Sequence, residues 1–201
     1  MKRPGVVVAL SVLGFTAQLA AAQESAALAF GGSVALVTDY RFRGISQTLR
    51  EMAVQAGIDV SGPAGLFGGV WGSNLNFGEA EPDGRAQAEI DVFGGMERSL
   101  GDVLDVGLGV TYYGYPGTSS DYSYDFVEVA LSAGRDFSVF ELGATAAYSP
   151  DYFGGSGSAT YLRGDVGIPL GASVFSLGAG VGRQWIEDNE AFGAPNYTDW
   201  S

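Results

Sequence analysis

The sequence predicts an all-β chain: an antiparallel, up-and-down transmembrane β-barrel of about 12 strands in its complete form, about nine to ten of them within these 201 residues. Three observations predict it. Apolar residues recur at every second position, no stretch holds a sustained helical period, and the connections alternate between tight and long.

The strands follow in order. The first sets Val34, Leu36, Thr38, Tyr40 and Phe42 against Ser33, Ala35, Val37, Asp39, Arg41 and Arg43. The second sets Val54, Ala56, Ile58 and Val60 against Gln55, Gly57, Asp59 and Ser61. The third sets Phe67, Trp71, Leu75 and Phe77 against Gly68, Gly72, Asn74 and Asn76. The fourth has Ala88, Ile90, Val92 and Met96 opposite Glu89, Asp91 and Phe93, and the fifth has Leu104 to Tyr112 at even positions opposite Asp105, Gly107, Gly109 and Thr111. Val127, Val129 and Leu131 mark the sixth, Leu142, Ala144, Ala146 and Tyr148 the seventh, Leu162, Val166 and Ile168 the eighth, and Phe175, Leu177, Ala179 and Val181 the ninth. A tenth begins at Tyr197-Thr198-Asp199-Trp200. One face is apolar throughout, and the other is polar or small.

Tight connections fall at 61–65, 99–102, 134–136 and 169–172, and longer ones at 44–51, 78–85, 114–123, 149–158 and 186–196. Short turns on one rim and long loops on the other are the pattern of an outer-membrane barrel, with the N-terminus on the short-turn side. The ten tyrosines lie towards the long loops, and several phenylalanines towards the short turns. Tyr40, Phe42, Phe67, Trp71, Tyr112, Phe140, Tyr148 and Phe175 are the expected membrane-interface aromatics. A soluble barrel or sandwich would bury the apolar face and expose Lys, Glu and Thr. Here the second face is Gly, Ala and Ser with a few acids, and Lys2 is the only lysine.

Composition narrows the function classes. The chain has no Cys and no His, which excludes disulfide frameworks, thiolate nucleophiles and Ser-His or Cys-His catalysis. A net charge of −13 makes it a poor partner for nucleic acid. Lys2 and Arg3, the apolar run Val6 to Phe15 and the small residues Ala20-Ala21-Ala22 form a secretory signal peptide, residues 1–22, ahead of a barrel domain at 23–201. Its removal leaves eight arginines against 23 acids, a net charge of −15.

The residues also carry a resemblance. The run from Ser33 to Gln47 resembles the opening strand of the TorF-type porins, a bacterial family long catalogued as a conserved domain of unknown function. Val54 to Asp59, Gly72-Ser73-Asn74, Tyr112 to Gly117, Tyr148 to Phe153 and Tyr197 to Trp200 continue the similarity in order over most of the mature chain. The resemblance implies an outer-membrane barrel of a Gram-negative bacterium, acting as a porin, with no catalytic residue. In that family a further hairpin follows the Tyr-Thr-Asp-Trp strand, so the sequence reads as C-terminally truncated, with about 30–45 residues expected beyond it.

A porin takes its selectivity from charges lining the lumen. Parity assigns Asp39, Asp59, Glu89, Asp91, Asp105, Glu128, Glu141 and Asp165 to the interior, with the bases Arg41, Arg43 and Arg163. The acidic excess predicts preference for cations. The alternative is that these charges pair and plug a narrow lumen, as side chains do in small barrels. The acidic spacing Glu79-x-Glu81-x-Asp83-Gly84 has Ile90 where a calcium loop needs Glu, and with Glu187-Asp188-Asn189-Glu190 it reads as solvated loop. The expectation is therefore passive diffusion of small, cationic solutes without cofactor or resident metal, in contact with the bilayer and lipopolysaccharide. The alternatives are a plugged barrel that interacts through its surface loops, and a soluble periplasmic binder.

Overall fold

The computed structural model describes residues 28–79, 85–119, 122–170 and 175–201. The expected signal peptide lies outside the described residues. Ten strands form one antiparallel sheet: β1 Ala29–Val37, β2 Ala53–Ser61, β3 Leu66–Asn74, β4 Ala88–Leu100, β5 Leu104–Gly114, β6 Phe126–Asp136, β7 Glu141–Ser149, β8 Ala159–Pro169, β9 Ser176–Ile186 and β10 Tyr197–Trp200. Each pairs with its neighbours in sequence, and β1 and β10 stand at the two ends of the order. Among the described residues helix amounts to one turn, Asn189–Phe192, and a 3-10 turn, Pro63–Gly65. The expected all-β, up-and-down architecture is what the chain adopts.

Alternation gives the sheet two unlike faces. Outward side chains are apolar and exposed: Val34 at 81%, Ile58 at 69%, Leu131 at 59% and Val181 at 57%. The concave face is polar, small or aromatic. At its loop end, where the long connections lie, Tyr113, Asp91 and Gln184 are fully buried. The large apolar side chains thus point away from the protein's own interior, the reverse of a soluble sandwich.

Two expectations about faces are corrected. The first strand was expected to run through Arg43, with Tyr40 and Phe42 on the apolar side. Instead β1 stops at Val37, and the segment 38–52 folds inward. Its turn is built from local polar bonds. The Asp39 carboxylate accepts from the Ser46 hydroxyl, Gln47 N–H donates to the Tyr40 carbonyl at 2.7 Å, and Arg41–Phe42 pairs with Ile45–Ser46. Gly44, at φ 81°, takes the left-handed turn. Tyr40 is consequently buried, and Phe42 packs against the interior cluster.

The second correction concerns β3. Phe67 and Trp71 do share a face, but it is the inner one. In register, Val70 meets Val92 and Ile58 on the outside, while Trp71 meets Asp91 and Gly57 inside. Glycines at 68, 69 and 72 erase the polar half of the pattern, so only Leu66 and Val70 mark the outer face. Gly69 has a packing reason: a Cβ there would sit 2.5 Å from the Phe93 ring and 2.6 Å from the Ile58 carbonyl oxygen.

This predicts a contrast between two glycines. Gly69→Val should cost about 1–3 kcal/mol through overpacking. Gly164→Ala, whose Cβ would meet nothing within 4 Å, should leave stability nearly unchanged. Urea unfolding of the two variants checks this.

Candidate functional site

The inward segment 38–52 carries Arg43 across the concave face. Its guanidinium donates to both Glu128 carboxylate oxygens on β6, at 2.6 and 2.7 Å, and to the Gln184 side-chain oxygen on β9 at 2.8 Å. Both charged side chains are buried, 5% and 3% exposed. The guanidinium also lies over the Tyr161 ring, 4.1 Å from its centroid, and over Phe42 at 4.8 Å. Burial opposes the Arg43 charge, but the Glu128 carboxylate outweighs it and the pKa rises. Beside the arginine, Gly44 approaches β10 so closely that a Cβ would lie 2.9 Å from the Asp199 Cβ.

Aromatic rings fill the space around this crossing. Tyr113 stacks on Phe126 at 4.3 Å, Tyr152 meets Phe126 edge-on at 4.7 Å, and Tyr40 meets Trp71 edge-on at 5.4 Å. Burial pushes the Tyr152 hydroxyl up to about 12. Tyr40 and Tyr115 are raised further, by burial and then by the negative charges of Glu89 and Asp91.

The structure gathers some of the expected lumen residues and separates others. Arg43 and Glu128 meet. Arg163 meets Asp165 at 2.7 Å and Asp199 at 3.2 Å, and the Tyr161 hydroxyl donates to Asp199 at 3.0 Å. Glu89 and Asp91 lie buried together beside Trp71 and Tyr113. Asp39 and Arg41 pair at 2.7 Å, with Arg41 more than half exposed, so they do not join Arg43 in one charged row. The Ser46 hydroxyl, opposed by slight desolvation and helped by Arg41, holds the Asp39 carboxyl below its usual value. Asp59 lies over Gly31 near the short-turn end, and Glu141 is partly exposed there. Of the expected interface aromatics, Tyr112, Tyr148 and Phe175 are outward and exposed, and Phe140 stacks on Phe137 at 4.7 Å. Tyr40, Phe42, Phe67 and Trp71 are inward instead.

Sequence reasoning missed Gln184, Tyr113, Tyr161 and Asp199. Gln184 and Asp199 were legible by parity: Gln184 extends the inward row Gly180, Gly182, and Asp199 sits opposite Gly182. Parity sets Tyr161 on the polar face with Arg163 and Asp165 but attaches no role to it, and Tyr113 lies one residue past the fifth strand's alternation. The acidic loops have structural roles. Asp188 caps the short helix by accepting from Glu190 and Ala191 N–H groups, and Glu187 accepts from Ser158. Positions 80–84 of the calcium-like spacing lie outside the described residues. Among the described residues, no three acids converge as metal ligands.

The fold and site define an all-β protein whose apolar face is external and whose polar and aromatic side chains form the core. A family model described as Gcw_chp, a bacterial protein of unknown function, matches residues 21–201, and the chain belongs to that family. No curated protein and no solved structure matches it.

Arg43→Ala would leave Glu128 buried without its base, and should destabilise the protein by about 3–5 kcal/mol. Exchanging both partners for apolar side chains, Arg43→Met with Glu128→Leu, should recover most of that loss. A double-mutant cycle in chemical denaturation measures it.

Proposed function

We propose that this chain is an outer-membrane β-barrel of the porin type, held shut at its loop end by the segment 38–52. The observation that carries the location is the continuous exposed apolar face, from Val34 on β1 to Trp200 on β10, around an interior of charge, amide and phenol. Such a face is costly in water and stable against lipid, where strands must satisfy their backbone groups by pairing. The outward Tyr112 and Tyr148 at the loop end, with Phe175 at the other, suit the two interfaces of a bilayer. The long loops then meet lipopolysaccharide, and the signal-like start supports export.

The inward segment supports the closed state. Its charged anchor is one buried ion pair with one amide, joined by a backbone hydrogen bond from Asn76 N–H to the Gln47 carbonyl at 2.9 Å and by the aromatic packing of Tyr40 and Phe42. Release of that anchor opens a passage for small solutes. The concave face beyond it carries Asp59, Glu141 and the Arg163–Asp165 pair, an acidic balance that favours cations. The lack of His and Cys supports passage over catalysis. A second reading, a permanently plugged barrel that works through its loops, draws support from the full burial of Tyr113 and the near-full burial of Tyr40 and Tyr152.

Planar-bilayer recording on the mature protein from its gene separates these. The wild type should give rare, small steps. A variant with Arg43→Gln and Glu128→Gln, which keeps hydrogen-bonding capacity but removes the ion pair, should give frequent cation-selective steps. Frequent large steps in the wild type would overturn the closed state, and silence in both proteins would leave the plugged reading standing. Recovery of the mature protein in the soluble periplasmic fraction would overturn the membrane location itself.

A further inference from the structure

Four buried acids line the loop end of the interior: Glu89, Asp91, Glu128 and Asp199. Two of them are matched with a base, Glu128 with Arg43 and Asp199 with Arg163. Glu89 and Asp91 are not. Asp91 has no exposed surface, and neither of its carboxylate oxygens has a hydrogen-bond partner among the described residues. Glu89 is 2% exposed; its Oε1 accepts from the Tyr115 hydroxyl at 3.3 Å, and its Oε2 has no partner. Arg43, a buried base of the same interior, is already committed to Glu128 and Gln184. A lone ionised carboxylate in such a place costs several kcal/mol, so two together call for a compensating charge.

The surroundings add neutral oxygens rather than bases. Asp91 lies in register between Trp71 on β3 and Tyr113 on β5, and Glu89 lies opposite Ser73. The Tyr40 and Tyr113 hydroxyls are buried and make no hydrogen bond of ordinary geometry. Tyr40 packs edge-on against Trp71, 5.4 Å between ring centroids, and Trp71 is the register neighbour of Asp91. Two carboxylates of β4 and the Tyr113 phenol of β5 are therefore neighbours on the buried inner wall, with the Tyr40 phenol of the inward segment packed beside them. An all-oxygen donor set of net charge −2 suits a hard divalent cation, and its mixed phenol and carboxylate reach suits the adaptable coordination of calcium better than the strict octahedron of magnesium.

We propose that Glu89 and Asp91, with the hydroxyls of Tyr40 and Tyr113, form a buried binding site for one divalent cation of the calcium class. The cation neutralises the acid pair and ties the inward segment, through Tyr40, to β4 and β5. The site rests on the interior packing alone, so it stands or falls separately from the membrane location. It differs from an acid-lined passage in that the ion is resident and structural.

Terbium luminescence tests this, because Trp71 and Tyr113 flank Asp91 and would sensitise a bound lanthanide. The mature wild-type protein in detergent, titrated with Tb3+ alone, should show saturable emission at one ion per chain, displaced by Ca2+. Asp91→Asn and Glu89→Gln should each weaken that binding at least tenfold, while Glu51→Gln, an exposed loop acid, should leave it unchanged. Calcium should also raise the wild-type melting temperature by several degrees over sodium chloride of equal ionic strength, a measurement that needs no variant to fold. Absence of both sensitised emission and the calcium shift in folded wild type would overturn the site. So would emission that persists in both acid variants. A wild type without emission, together with an Asp91→Asn protein that melts higher than it, would show that the pair is held neutral by a shared proton instead.

Discussion

Everything in this structure depends on a two-residue alternation that sends the large aliphatic side chains outward. Once Val54, Ile58, Val92, Val110, Val129 and Leu162 occupy the convex face, the concave face must be built from what is left. What is left is glycine, small hydroxyls, acids, a few arginines and most of the aromatic rings. A core of this kind cannot rely on aliphatic burial. It has to be stabilised by stacked rings and by polar groups that satisfy one another, and a partly satisfied polar core is costly.

The glycines follow from the same division. At Gly95 and Gly69 a Cβ would strike a neighbouring backbone oxygen or a ring, so these positions let Phe67 and Phe93 lie flat against the inner wall. The aromatic layer and the glycine content are therefore one feature. Rings take the inward volume, and glycine cedes it. The charges obey a stricter rule. Arg43 and Arg163 each serve an acid that would otherwise be stranded, and the same accounting exposes Glu89 and Asp91 as a pair with no base to serve them among the described residues.

Much of this was legible in the sequence, because period-2 alternation with aliphatic residues is a strong mark. Each of the ten strands overlaps an alternating stretch, although the first leaves the sheet at Val37 rather than at Arg43, and the facing of β2, β4 and β5 to β9 is as the pattern reads. The failures have physical causes. In β3, glycines stand on both faces, so the two aromatic residues decided the parity, and an aromatic ring fits a glycine-lined interior as well as an exterior. After Val37 the alternation Thr38, Tyr40, Phe42 continues on paper. The backbone leaves the sheet because Asp39, Ser46 and Thr48 bond to one another and Gly44 turns the chain. Such local polar competition with strand pairing has no periodicity to betray it. Arg43 was rightly placed inside, but its partners Glu128 and Gln184 lie on distant strands, and no spacing in the sequence links them.

That distance gives the inward segment a particular place in the architecture. Strand pairing here is strictly between sequence neighbours, so each hairpin can form without information from the far end of the chain. Neighbour pairing alone does not specify how far the sheet curls. The longest-range contacts that do so are those of the first long loop: Arg43 with Gln184, 141 residues away, and Gly44 against Asp199 of the last described strand. These can be made only when β9 and β10 have come round opposite β1. The Arg43 ion pair therefore does two things with one side chain. It neutralises a buried glutamate, and it fixes the curvature that brings the two ends of the sheet towards each other. In the proposed barrel the same contact is what obstructs the lumen, so curvature and closure cannot be varied independently. An opening motion must either give up part of the curl or transfer Glu128 to another cation. The aromatic layer weighs on both courses, since Tyr113, Phe126 and Tyr152 pack on one another at 4.3 and 4.7 Å and the loop's Phe42 packs edge-on against Tyr113 at 5.6 Å.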